Sequence, residues 1–287
     1  MFLRNFDDMF PLILIIPLII NDPLVIREGK VNPADSMIRI SLYDKPGEYD
    51  FVWPGKIVEI PSYEFADRKD LKSVKIEEGV INIGEYAFLG CEKLEEIILP
   101  STLKEVGEGA FRECKSLKRL VIPEGVRVIP KYMCAWNESL KEVRLPDSLR
   151  DIGSHAFAYC RDLGKINFPE TLEHIGSNAF SYDGNLTNVV LPNSITELES
   201  YAFSDCSKLE KIVLPANDKM LGELIFTGCD NLKEIVCLSP QPPTFDCDSP
   251  LFDPSERKMY LKCRLVTLPE SRGLFKRAIV WKEFFQK

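Results

Sequence analysis

Apolar positions recur every 23 residues through most of the chain. Phe88 is followed at that interval by Phe111, Cys134, Phe157, Phe180, Phe203 and Phe226 and preceded by Phe65, and six residues beyond each stands a leucine, from Leu71 to Leu232 without exception. A fixed period in the twenties is the mark of stacked coils, where one unit cannot bury its own apolar face but neighbours can. Within the unit Val80 to Leu103, alternation points Leu94, Ile97 and Leu99 inward from a short strand and Glu96 and Ile98 outward. Prolines at 100, 123, 146, 169, 192 and 215 end the strands, because proline has no amide to donate. Ile83, Ala87, Phe88 and Cys91 supply the opposite wall of the core. The Gly84 position holds glycine in several copies but Pro130 and Glu199 in others, which argues against a left-handed backbone there and for a tight turn. Each buried apolar side chain is worth roughly 1.5 to 3 kcal/mol. That offsets the entropy of ordering a coil only when coils stack, so a lone copy should not fold.

The periodicity divides the chain. Residues 57–238 form the solenoid of about eight coils, with residues 24–56 as an N-terminal cap and 239–287 as a C-terminal cap. Residues 37–53 alternate around Asp44 to Glu48, predicting a strand, a Pro-Gly turn and a second strand that cover the exposed edge of the first coil. Residues 1–23 carry an apolar run from Met9 to Ile20, too short for a membrane span but the length of an export-signal core. Asp7, Asp8 and the interrupting prolines fit such a signal poorly. After Cys237 a proline-rich loop leads to a predicted strand at Lys258 to Lys262. Phe275, Ala278, Trp281, Phe284 and Phe285 then take the spacing of one face of a short helix.

The repeat resembles the BspA-like leucine-rich repeats, with LEHIGSNAFSYDGNLTNVVLP and LKEVGEGAFRECKSLKRLVIP as clear copies. The ending is also similar to theirs, with Met259 to Lys262 in place of a Tyr-Val-Pro-like strand and Phe275 in place of a tyrosine. The resemblance implies a leucine-rich repeat solenoid of short parallel β-strands joined by irregular turns. It further implies cell-surface or secreted binding proteins without a shared ligand or catalytic residues.

Composition adds little to this. A formal charge of -8 argues against a nucleic-acid partner. Five of the nine cysteines, Cys91, Cys114, Cys160, Cys206 and Cys229, share one repeat position, which predicts buried free thiols because side chains stacked in parallel do not converge to cross-link. No Cys/His spacing suggests a metal, and His155 and His174 occupy different positions. Asp246 and Asp248 resemble a calcium loop but lack the Gly and Glu that would complete it. The sequons at Asn137 and Asn185 matter only in a eukaryotic secretory pathway. With no nucleotide-binding or hydrolase motif, neither catalysis nor a cofactor is expected.

Candidate contacts therefore lie where outward positions change character. Two residues after the repeat Phe, where other coils have Gly90, Glu113, Asp205 and Gly228, the chain places Trp136, Tyr159 and Tyr182 in succession. The outward strand column of Ile98, Val121, Val190, Val213 and Val236 switches to Arg144 and Asn167 in the middle. The aromatic strip suits either a protein anchor or a sugar platform, or else covers the core beside Met133 and Cys134. Charge alternation through Glu96, Arg119, Glu142 and Lys165 is explained by cross-strand pairing. The expectation is a monomeric, exported, non-enzymatic protein binding a protein or glycan, without a transmembrane span. An intracellular interaction scaffold and a carbohydrate-binding accessory protein are the alternatives.

Overall fold

The alternation around each repeat leucine folds as short parallel strands. The computed structural model describes residues 41–45, 48–52, 59–76, 78–217, 220–245 and 250–286, the first two segments as backbone alone. Along one wall, strands Ser73–Lys75, Glu96–Ile98, Arg119–Val121, Glu142–Arg144 and Lys165–Ile166 pair in parallel. A further run pairs Asn188–Val190, Lys211–Leu214 and Glu234–Cys237. Partners differ by one repeat, as in Val74 with Ile97 and Val189 with Ile212. Two-residue strands such as Asp151–Ile152 and His174–Ile175 pair in the same register on a second wall. The leucines from Leu71 to Leu232 form a continuous buried ladder, and phenylalanine rings stack beside it, 5.0 Å apart at Phe65–Phe88 and 5.2 Å at Phe180–Phe203.

The side carrying these phenylalanines has a backbone that the sequence pattern does not announce. The residue two before each Phe, from Tyr63 to Leu224, has φ between 52° and 61°. The residue two after, from Asp67 to Gly228, has φ between 56° and 72°. A left-handed residue on each side of the repeat Phe brackets a short arc whose amides point in different directions. Tyr86, Phe88 and Gly90 donate to Glu108, Ala110 and Arg112 of the next coil at 2.8, 2.8 and 2.9 Å. The neighbouring amides of Leu89 and Cys91 bond back to Tyr86 and Phe88 of their own coil. The inter-coil amide bonds of this five-residue stretch therefore all run one way, toward the C-terminus. In the last coil the Leu224 and Phe226 amides donate to Pro250 and Leu251, while Gly228 donates to the Glu256 carboxylate at 3.0 Å.

Glycine at the Gly84 position answers to crowding. A Cβ on Gly84 would lie 2.4 Å from the Ser62 nitrogen of the preceding coil, and its φ is not left-handed. Every described cysteine is a buried free thiol. In the shared column each sulfur donates to a backbone carbonyl 26 residues earlier, as Cys91 does to Phe65 at 3.1 Å and Cys206 to Phe180 at 3.2 Å.

Strands Ser41–Lys45 and Glu48–Val52 form the expected antiparallel hairpin, and the second pairs in parallel with Ser73–Lys75. The hairpin thus extends the sheet edge. The C-terminal expectations need correction. Lys258–Lys262 is an α-helix, because Met259, Tyr260 and Cys263 face the core at helical spacing, and the Tyr260 hydroxyl accepts from Leu251 N at 3.0 Å. The strand follows at Arg264–Val266 and pairs with Glu234–Val236. The single helix expected over Phe275 to Phe285 is broken into an α-helical turn, Arg272–Phe275, and a 3-10 turn, Trp281–Phe285, with Val280 at φ 63° between them. Trp281 anchors the second turn by donating from Nε1 to Pro243 O at 2.9 Å. Met9 to Ile20, Asp246 and Asp248 lie outside the described residues.

Candidate functional site

Trp136, Tyr159 and Tyr182 stand in the left-handed column after the repeat Phe, at φ 62°, 63° and 63°. Their amides donate to Ala158, Ser181 and Ser204 of the following coils at 2.8 to 2.9 Å, which holds the three side chains one above another. Ring centroids are 5.3 Å apart for Trp136–Tyr159 and 4.4 Å for Tyr159–Tyr182, with planes inclined by 7° and 6°. Parallel rings this close cover each other's faces. The stack therefore presents ring edges, an indole N–H and phenolic hydroxyls to a partner, and offers no row of open faces for sugars to lie on.

The ends of the stack differ. Beyond Trp136, the Arg112 guanidinium lies 4.6 Å from the ring centroid and pairs with Glu113 at 3.1 Å. Beyond Tyr182 the column continues with Asp205 and Gly228. No ring or cation lies over the outer face of Tyr182 among the described residues, and the side chain is 42% exposed. The Asp205 charge, then partial burial, raises the Tyr182 phenol pKa. Burial chiefly raises the Asp205 carboxyl, with repulsion from Glu256 and Asp230 adding to it and the Tyr182 hydroxyl opposing it.

A neighbouring column at the residue two before Phe was missed by sequence reasoning. Tyr132 stacks on His155 at 4.8 Å and lies 6.4 Å from Trp136, and Arg112 reaches Tyr132 as well. The recurrence of tyrosine at 63, 86, 132 and 201 was the available signal. His155 has its pKa lowered by burial.

Residues 43–160 and 128–241 match the family described as BspA type leucine rich repeat region, in six copies. The chain belongs to that family. Solved structures similar to this BspA-type chain include a leucine-rich cell surface protein from Faecalibacterium prausnitzii, 21% identical over 75% of this chain and 79% of that one, with a TM-score of 0.45. A leucine-rich repeat protein from T. pallidum is 27% identical over 71% and 91%, with a TM-score of 0.48. One from Bacteroides ovatus is 22% identical over 82% and 78%, with a TM-score of 0.46. Among curated proteins, none matches the chain.

Other features of the BspA-type coils divide into structural and unassigned. Arg144 and Asn167 are exposed on the strand wall, and no hydrogen bond, ion pair or ring contact joins them to the aromatic column among the described residues. Among the described residues the charge column is ion-paired toward its C-terminal end, where Lys211 meets Glu234 at 2.8 Å and Arg264 pairs with the same carboxylate. Glu96, Arg119, Glu142 and Lys165 are register neighbours without ion pairs to one another. His174 donates toward Asp151 from Nδ1 at 3.0 Å and toward Glu199 from Nε2 at 2.9 Å. The bond to Asp151, opposed by desolvation and helped by Glu199, lifts its pKa to about 9. Glu197 and Glu199 bring carboxylate oxygens within 4.8 Å of this ring. Both ring nitrogens are already engaged by carboxylates, so the group is an imidazolium clamp between coils and its metal-binding lone pairs are committed.

Asn137 and Asp183 occupy the cysteine column of their coils and are wholly buried. The Asn137 sequon is therefore inaccessible in the folded coil. No described helix is long and apolar enough to cross a membrane.

Proposed function

We propose that this BspA-type protein is an exported, non-enzymatic interaction protein that holds a partner protein against the edge of the Trp136–Tyr159–Tyr182 stack. One observation carries the reading: three bulky aromatics in succession occupy left-handed positions where the other coils have Asp67, Gly90, Glu113, Asp205 and Gly228. A left-handed residue with a Cβ costs roughly 1–2 kcal/mol, and glycine at the same place costs nothing sterically. Rigid rings with polar rims provide contact area at low entropic cost, the composition of protein-binding hot spots. Because the inner faces are mutually covered, the stack supports protein binding over the sugar platform.

Probing arrays of extracellular-matrix proteins and of glycans with the full chain and with Y159S/Y182S tests this. The expected result is binding to one or more matrix proteins that weakens at least about tenfold, or roughly 1.4 kcal/mol, in the double variant. Unchanged binding together with a lower melting temperature would show instead that the rings cover the core. Recovery of the chain with an intact Met1 from the cytosol would favour the intracellular scaffold.

A further inference from the structure

The two ends of the ring stack differ in one respect that names a chemical group. At the Trp136 end the chain supplies its own guanidinium: Arg112 lies over the Trp136 ring, 4.6 Å from its centroid, and is paired there with Glu113, which belongs to the same left-handed column as the rings. At the Tyr182 end the column again places an acid next, Asp205, in the same backbone conformation at φ 56°. Past Asp205 comes Gly228, without a side chain, and Asp205 Oδ1 lies 2.3 Å from where a Cβ on Gly228 would stand, while the carboxylate also accepts from the Tyr182 hydroxyl. Asp230 and Glu256 add negative charge around it. Among the described residues no lysine or arginine forms an ion pair with Asp205, and none lies over Tyr182. An aromatic face carries negative potential, and a cation held over it gains more as it is desolvated.

We infer that an arginine of the partner protein completes the stack, lying over the open face of Tyr182 and pairing with Asp205 as Arg112 pairs with Glu113 over Trp136. The inference rests on the ring stack being the binding surface. It adds to that reading a required partner chemistry and a place for it. Arginine suits the site better than lysine because a planar guanidinium can stack and pair with a carboxylate at once. Rings edge-on along the strip then contact the residues flanking that arginine, and Arg112 at the far end repels a second cation.

A phage-displayed library of random twelve-residue peptides is selected on the full-length protein, and the best binder is resynthesised with each arginine replaced by citrulline, its neutral isostere. Selected peptides are expected to share an arginine whose replacement weakens binding at least about tenfold. The variant D205N should show the same loss, and citrulline should then cost D205N little further. Y182A should lose binding altogether, while R144A, on the strand wall, should bind like the parent. Peptides that need Tyr159 and Tyr182 but are indifferent to citrulline and to D205N would overturn this inference and leave the stack as a protein-binding surface. Selected peptides that bind Y159S/Y182S as well as the parent would overturn both.

Discussion

Replacing Asp183 with cysteine should stabilise the protein and remove part of its pH dependence. The Asp183 carboxyl is wholly buried in the column that elsewhere holds Cys91, Cys114, Cys160, Cys206 and Cys229. Its Oδ1 accepts from Cys160 N at 2.9 Å, an amide that also bonds Phe157 O within its own coil at 3.1 Å. Its Oδ2 has no partner among the described residues. Burial pushes the pKa well above the ordinary carboxylate value, so the folded chain keeps a proton that the unfolded chain releases near about pH 3.9. Below that pH both states are protonated and the penalty is absent. Above it the unfolded state binds fewer protons, and stability falls by ~1.4 kcal/mol per pH unit until the folded carboxyl itself ionises. A thiol at this place can donate to Phe157 O, as Cys160 does to Cys134 O at 3.2 Å. An unpaired buried oxygen costs roughly 1–3 kcal/mol, so D183C should gain about that much at pH 4 and more at pH 6. Guanidinium chloride unfolding of parent and variant at pH 4, 5 and 6 reads the difference directly. Parallel pH slopes for the two proteins, or a variant less stable than the parent at pH 6, would refute the reasoning.

Cys134 interrupts the phenylalanine column, and Met133, also buried, stands beside it where five of the other coils have alanine, so a larger neighbour accompanies the smaller residue. C134F alone should overpack that coil and cost about 1–3 kcal/mol, while C134F/M133A should melt close to the parent, the two changes coupling in a double-mutant cycle. Equal melting temperatures for the single and double variants would contradict this. The His174 clamp contributes stability that is fully present below the unfolded histidine pKa of about 6.5 and is lost as pH rises through about 9. H174Q should lack that decline between pH 6.5 and 9, and an NMR titration placing the His174 midpoint below 7 would refute the assignment.

What could be seen in the sequence was whatever side chains report by repetition. Leu71 to Leu232, the Phe column, the outward Glu96 and Ile98 and the buried thiols all follow from one residue type recurring in one register, because burial constrains side chains directly. The left-handed pairs flanking each Phe were hidden, since Tyr86, Trp136 and Leu224 are residues with no preference for φ > 0 and only Gly90, Gly109 and Gly228 among these positions are glycine. The alignment of Trp136, Tyr159 and Tyr182 was legible from spacing alone. That their faces are closed to ligands was not, since ring orientation depends on the one-way amide bonds beneath them. Asn137 and Asp183 were visible as foreign residues in a cysteine column but were passed over. The helix at Lys258–Lys262 was misjudged because five residues permit either period, and contact with Leu251 decided between them.

The direction of the amide bonds on the turn side makes every interior coil both plug and socket: it offers three donors forward and accepts three from behind. A coil of this kind can be duplicated or lost in whole units anywhere along the stack, since each junction so made matches every other. The chain can be brought to a close only by something that accepts without donating onward. Pro250, Leu251 and the Glu256 carboxylate do this, so lineages of such proteins can vary freely in reach while inheriting the same stopper, and a copy that lost it would carry an adhesive end.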